Sequence, residues 1–235
     1  MNRLDNLKKN NILGAFITPG DIDVEKTEEY ILAMIAGGVD FIEIGIPFSD
    51  PVAEDSTIQE AYIKAMKNHV NTDTIFDCVK RLRQDTDIPV VAITNANPVF
   101  SYAKGIEKFF ENCKEVGVDA IIMPDVPYEE ADEFKEAADK NGVYIIMAVA
   151  PTNEERIKKI VENAEGFVYA TALAENTKED MDNLIKLVKK YKDIPVLTKD
   201  ERFTCDGLIL SNEVVKLVNR GMAPMAISHF VKSYR

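Results

Sequence analysis

Eight short apolar runs, the longer stretches of helical periodicity between them, and a first turn without a glycine-rich signature predict an α/β fold. The expected architecture is a (β/α)₈ barrel of the TIM type, with residues 1–235 forming a single domain. The apolar runs are 13–19, 41–47, 88–94, 120–126, 143–150, 167–173, 194–198 and 208–210. They are nearly continuous in hydrophobicity, as parallel strands covered on both faces are. A doubly wound open sheet is the alternative, but no dinucleotide-binding fingerprint follows the first run.

The segments between the runs repeat with helical spacing. Residues 24–36 place Tyr30, Ile31, Met34 and Ile35 on one stripe. Stretches 57–66 and 74–82 form a broken pair, and 106–116, 129–138, 154–163, 179–191 and 213–233 complete the set. Thr152 followed by Glu155 has the form of a capping box. Gly38-Val39-Asp40 and Gly117-Val118-Asp119 mark helix-to-strand joints, where glycine ends a helix. Only about eight residues, 199–206, separate the last two strands. Fully extended they span roughly 26 Å, so the expected return between these strands is irregular, without a regular helix.

Composition bounds the function. The chain has 235 residues, 46% hydrophobic and 29% charged, with a net charge of −12. That balance argues against nucleic acid or an anionic membrane as partner, since phosphates select basic patches. No apolar run is long enough for a membrane span, and no leader-like segment opens the chain, so a cytoplasmic location is expected. Cys78, Cys113 and Cys205 have no metal-like spacing and read as reduced structural cysteines. With only His69 and His229 present, a histidine-rich metal site or a histidine relay is not expected.

The active site of a barrel lies at the C-terminal ends of its strands. Glu43 stands inside an otherwise apolar strand. A carboxylate there costs several kcal/mol unless paired or protonated. Two readings stay open: a proton-exchanging group, or a structural glutamate that faces a surface crevice or is paired with a buried lysine. The loop 49–56, directly after that strand, carries Asp50, Glu54 and Asp55. These could divide acid and base roles, or could simply complement the dipole of the next helix.

The stretch Glu43-Ile44-Gly45-Ile46-Pro47-Phe48-Ser49-Asp50-Pro51-Val52-Ala53 resembles the signature of the tryptophan synthase α subunit family. Phe16-Ile17-Thr18, Asn97-Pro98, Pro124-Asp125-Val126-Pro127, Ala150-Pro151-Thr152 and Gly166-Phe167-Val168-Tyr169 support the likeness. It is strong over residues 1–170 and poor over much of the rest. It implies a carbon–carbon lyase of tryptophan biosynthesis that cleaves indole-3-glycerol phosphate to indole and glyceraldehyde 3-phosphate by a retro-aldol step. It also implies no cofactor on this chain and a pyridoxal-phosphate β-type subunit as partner. By resemblance, Glu43 is the principal acid/base, Glu54 takes the place of an aspartate facing the indole N–H, and Tyr169 is an active-site tyrosine. Phe16, Ile93 and Ile122 would bound the substrate pocket. Asp50, Pro51, Asn97, Pro98 and Asp125 would meet the partner. The extra methylene of Glu54 displaces its carboxylate by about 1 Å, an error that can cost on the order of 100-fold in rate.

The likeness fails where the family grips phosphate. The glycine turn after the sixth strand is replaced by Glu175-Asn176-Thr177-Lys178, and the long lid is largely missing. The glycine loop after the seventh strand becomes Lys199-Asp200-Glu201-Arg202, and the turn after the eighth becomes Ser211-Asn212. Thr177, Ser211 and Asn212 are what remains on the substrate side, with Lys199 and Arg202 as possible side-chain substitutes for the lost backbone contacts. Three functions follow: an active or weakened lyase; a non-catalytic or regulatory α-like subunit; or a related lyase for a non-phosphorylated ligand.

Overall fold

The computed structural model describes residues 2–51, 54–103 and 105–235, so Val52 and Ala53 of the signature stretch lie outside the described residues. Nine strand segments form one all-parallel sheet: β1 (Ile12–Ile17), β2 (Phe41–Gly45), β3 (Val90–Ile93), β4 (Ala120–Ile122), β5 (Tyr144–Ile145), β6 (Ala148–Val149), β7 (Val168–Ala170), β8 (Val196–Thr198) and β9 (Gly207–Leu210). Their order is β5-β4-β3-β2-β1-β9-β8-β7-β6.

The ring closes through its fifth strand. β5 pairs with β4, and Ile146 N–H continues that ladder to Ile121 O. β6 pairs with β7, and Tyr169 N–H donates to Met147 O. One extended segment thus gives its first half to one neighbour and its second half to the other. Nine segments fill eight positions, as expected for a (β/α)₈ barrel.

Strand alternation divides the core in two. Ile12 and Phe16, Val91 and Ile93, Ala120 and Ile122, with Phe41, Ile146, Phe167, Leu197 and Ile209, belong to the packed interior of the ring. The intervening residues, such as Ile17, Ile44 and Ala92, pack outward against the helices. Inward positions are occupied close to contact. A Cβ on Gly14 would stand 2.3 Å from the Phe41 ring. The N-terminal end of the barrel is closed by a 3-10 turn, Arg3–Asn6, which buries Leu4. There Arg83 donates to Asp119 Oδ2 at 3.0 Å, Gly117 O at 2.6 Å and Ile88 O at 2.6 Å.

Helices α1 (Val24–Gly37), α2 (Ser56–Lys67), α3 (Thr72–Leu82), α4 (Ala96–Phe100), α5 (Ile106–Val116), α6 (Asp132–Asn141), α7 (Glu154–Glu162), α8 (Lys178–Tyr191), α9 (Asn212–Asn219) and α10 (Pro224–Lys232) make the outer layer. Gly38 and Gly117 end α1 and α5 with φ of 104° and 89°, a left-handed conformation that glycine adopts without strain. Three expectations are corrected. The stretch 213–233 is two helices, because Gly221 turns left-handed (φ 67°) and Pro224 opens α10. The stretch at 129 begins as a 3-10 turn, with the α-helix starting at Asp132. The cap of α7 is Asn153, not Thr152, and its side chain accepts from Arg156 N–H.

Between β8 and β9 no helix forms. Residues 199–206 run as bends and turns, and the two strands pair directly, with Leu197 opposite Gly207. The short return is feasible because Gly207 lets the backbones close: a Cβ there would lie 2.4 Å from Ile12 O.

Candidate active site

The alternation that points Phe41 inward also points Glu43 inward, where it is 0% exposed. On β8 the same parity carries Leu197 inward and, two residues on, Lys199. The loop after it is shaped by its own polar groups. Asp200 N–H donates to Thr198 Oγ1, and Arg202 forks onto the Asp200 carboxylate at 2.9 and 2.6 Å. That clasp turns the acid and the guanidinium toward each other and leaves Lys199 reaching into the ring. Its Nζ lies 2.9 Å from Glu43 Oε2, 5.1 Å from the centre of the Phe16 ring and 5.5 Å from that of Tyr169.

Glu43 is thus an inward carboxylate beside a buried lysine, a geometry that both sequence readings allow. Among the described residues no group other than Lys199 reaches either Glu43 oxygen. Opposite charges 2.9 Å apart in an apolar ring attract strongly. Burial alone would lower the Lys199 ammonium, but Glu43, Tyr169 and Glu54 together hold it above its ordinary range.

Around the pair stand three further ionisable groups. Glu54, at the start of α2, is pushed up to about 7, first by burial, with the Lys199 charge pulling it down and Glu43 and Asp55 adding to the rise. Tyr169 is pushed up to about 12, again chiefly by burial. Tyr62 of α2 is buried and raised well above its usual value by burial and by the Glu54 charge. Gly45 makes room for this arrangement. A Cβ there would meet Phe16 Cζ and Tyr62 Cε1 at 2.8 Å. The result is a cluster of ionisable groups at the C-terminal rim: one carboxylate paired with a cation, a second pushed up to about 7, and two phenols.

The other expected residues fall into separate places. Phe16, Ile93 and Ile122 are buried in the ring interior, with Phe16 opposite Glu43 and Ile93 opposite Gly45 in the sheet register. Thr177 is exposed and its hydroxyl is engaged in a reciprocal cap with Asp180, which limits it as a ligand group. Ser211 is buried just before α9 without a side-chain cap bond, and Asn212 Oδ1 is buried without a partner. Lys199 and Arg202, expected as substitutes at the phosphate end, are instead engaged with Glu43 and Asp200. Asp50 and Asn97 are exposed, and Pro51, Pro98 and Asp125 half-buried. The Asp125 carboxylate accepts from Ala96 N–H at 3.0 Å, tying the loops after β3 and β4. A cavity of about 250 Å³ opens between the loops after β4 and β6, lined by Pro124, Asp125, Met147, Ala148, Arg156 and Thr171 among others.

Sequence reasoning missed the inward Lys199, Tyr62, and Asn95, whose amide nitrogen is buried without a partner at the end of β3. Strand parity could have found Lys199 and Asn95. Tyr62 had no such signal, because it comes from a helix. Among the described residues no group of acidic, histidine or cysteine side chains could hold a metal ion, and no helix is long and apolar enough to cross a membrane.

Comparison with known proteins accords with this geometry. The family model for the tryptophan synthase alpha chain matches residues 2–199. The chain is 38% identical over 237 residues to the tryptophan synthase alpha chain of Caldanaerobacter subterraneus subsp. tengcongensis, covering 93% of this chain and 90% of that one. It is 35% identical to the one from Lacticaseibacillus casei, covering 98% and 93%. Among solved structures, the tryptophan synthase subunit alpha of Legionella pneumophila superposes with a TM-score of 0.87 at 28% identity, covering 100% and 97%. A chain from the tryptophan synthase α2β2 complex of Pyrococcus furiosus gives 0.83 at 30% identity, covering 97% of each. The chain belongs to the tryptophan synthase alpha chain family.

Proposed function

We propose that this protein is a cytoplasmic carbon–carbon lyase that cleaves indole-3-glycerol phosphate to indole and glyceraldehyde 3-phosphate, working with a pyridoxal-phosphate β-type subunit. The observation that carries the reading is the pair of carboxylates at the barrel rim, Glu43 and Glu54, in sharply different electrostatic settings. Retro-aldol cleavage needs a proton delivered to indole C3 and another removed from a glycerol hydroxyl. Two carboxylates whose environments separate their protonation can divide that work. Tyr169 and Phe16 supply ring faces for the indole, with Ile93 and Ile122 below, and Asp50, Pro51, Asn97, Pro98 and Asp125 form the partner-facing rim.

The Lys199–Glu43 pair favours a second reading, an α-like subunit that docks on a β-type partner without turnover, because the lysine occupies the carboxylate that the lyase reading needs for the substrate. One experiment separates them. Indole release from indole-3-glycerol phosphate is measured with and without a β-type subunit, beside complex formation. The lyase reading expects indole, increased by the partner, and a loss of at least ~100-fold in Glu43→Gln with the complex intact. A complex that forms without indole supports the second reading, and the absence of both indole and complex overturns both.

A further inference from the structure

Lys199 is the buried group that the lyase reading leaves without a task. We propose that it is a partner-exchanging anion receptor: in the empty site it pairs with Glu43, and a small oxyanion entering the barrel mouth draws the ammonium away and frees the carboxylate.

Four observations point there. The ammonium carries three donors, yet among the described residues it has no acceptor besides Glu43, and no other group donates to either Glu43 oxygen. A buried ion pair without supporting hydrogen bonds hardly offsets the loss of hydration of its two charges, so a competing anion needs only modest affinity to displace it. The lysine is the outward member, with 16% of its side chain exposed against 0% for Glu43. A ligand therefore meets the cation first. Finally, Arg202 is bound to Asp200, and the glycine loop that would offer backbone N–H groups to an anion is absent. Among the described residues Lys199 is then the positive charge available at this part of the rim, on a four-carbon stem with its ammonium over the faces of Phe16 and Tyr169.

The inference rests on reading the rim as a ligand site but needs no turnover, so its test reads binding alone. The whole protein is titrated by calorimetry with inorganic phosphate and, separately, acetate; the two probes distinguish a phosphate-bearing from a carboxylate-bearing ligand. Binding of either supports the proposal, and binding of neither overturns it. For the probe that binds, Lys199→Met should weaken affinity at least ~10-fold and Glu43→Gln should tighten it about 5-fold or more. The Glu43→Gln gain should vanish in the Lys199→Met background, because both changes act through one exchange. A gain that persists there means ordinary repulsion by Glu43 and overturns the exchange, as does unchanged affinity in Lys199→Met. If Lys199→Met does not fold, the Glu43 carboxyl carbon is followed by NMR in the unaltered protein. It should shift as anion is added, and a signal that stays in place at saturation overturns the proposal.

Discussion

The two sides of the ring are built to different rules. From β1 to β4 each return is a full helical crossover, and at the N-terminal end Arg83, Arg3 and Asp119 knit the bottom of the barrel. From β7 to β9 the loops are rewritten: one return has no helix, and Lys199 stands at the C-terminal rim. Yet the two sides meet in one contact, Glu43 from the regular side and Lys199 from the rewritten one. The strand alternation tolerates extensive loop change because it is set by backbone pleat. Changing a loop therefore changes which side chain stands at the inward position without disturbing its direction.

The difference can be broken at either end. The largest expected effect is at the rim: Lys199→Met leaves a fully buried carboxylate without its cation and should cost about 4 kcal/mol of unfolding free energy near neutral pH, in the range for breaking one side of a buried pair. Thermal or urea unfolding measures it, and adding Glu43→Gln should restore more than half. Failure to restore would show that Lys199 stabilises through packing on Phe16 and Tyr169 instead. At the opposite end, Arg83→Ala removes one cationic partner of Asp119 and the donor to the Gly117, Thr86 and Ile88 carbonyls and should cost about 3 kcal/mol, while leaving ligand binding in the folded protein unchanged. An affinity loss there would contradict the division between a stabilising bottom and a functional rim.

The smallest effect sharpens the contrast through pH. The Glu54 carboxyl ionises about 7 rather than at its ordinary 4.5, mainly through burial. Between those values the folded protein binds more protons than the unfolded chain, so this group's contribution to stability falls as pH rises from about 4.5 to about 7. Glu54→Gln should flatten that part of the stability–pH curve. Lys199→Met should move the midpoint upward, since the lysine charge now holds it down. An unchanged midpoint would uncouple Glu54 from the pair.

Much of this was legible in the residues. The apolar runs located every strand position, and the shortness of 199–206 announced the bare return. Glu43 was legible because a lone acid in a run such as Phe41-Ile42-Glu43-Ile44 has few explanations. Lys199 was not, because it lies just past the apolar run, where a lysine looks like a solvated loop residue; only the extrapolated alternation from Leu197 reveals its direction. The break between α9 and α10 was written in Gly221 and Pro224, but the apolar periodicity on either side concealed it. Asn153 and Thr152 are both cap-forming residue types, and only the backbone path decides that Asn153 meets Arg156 N–H.

The strand that closes the ring lies on the far arc from the Glu43–Lys199 contact. β2, β1, β9 and β8 form the near arc, and the contact is a chord across it. The far arc hangs on a segment that grips each neighbour by only half its length. A parting of that seam would widen the barrel on the side away from the chord. The acid and the lysine would stay latched together on a sheet that had opened behind them.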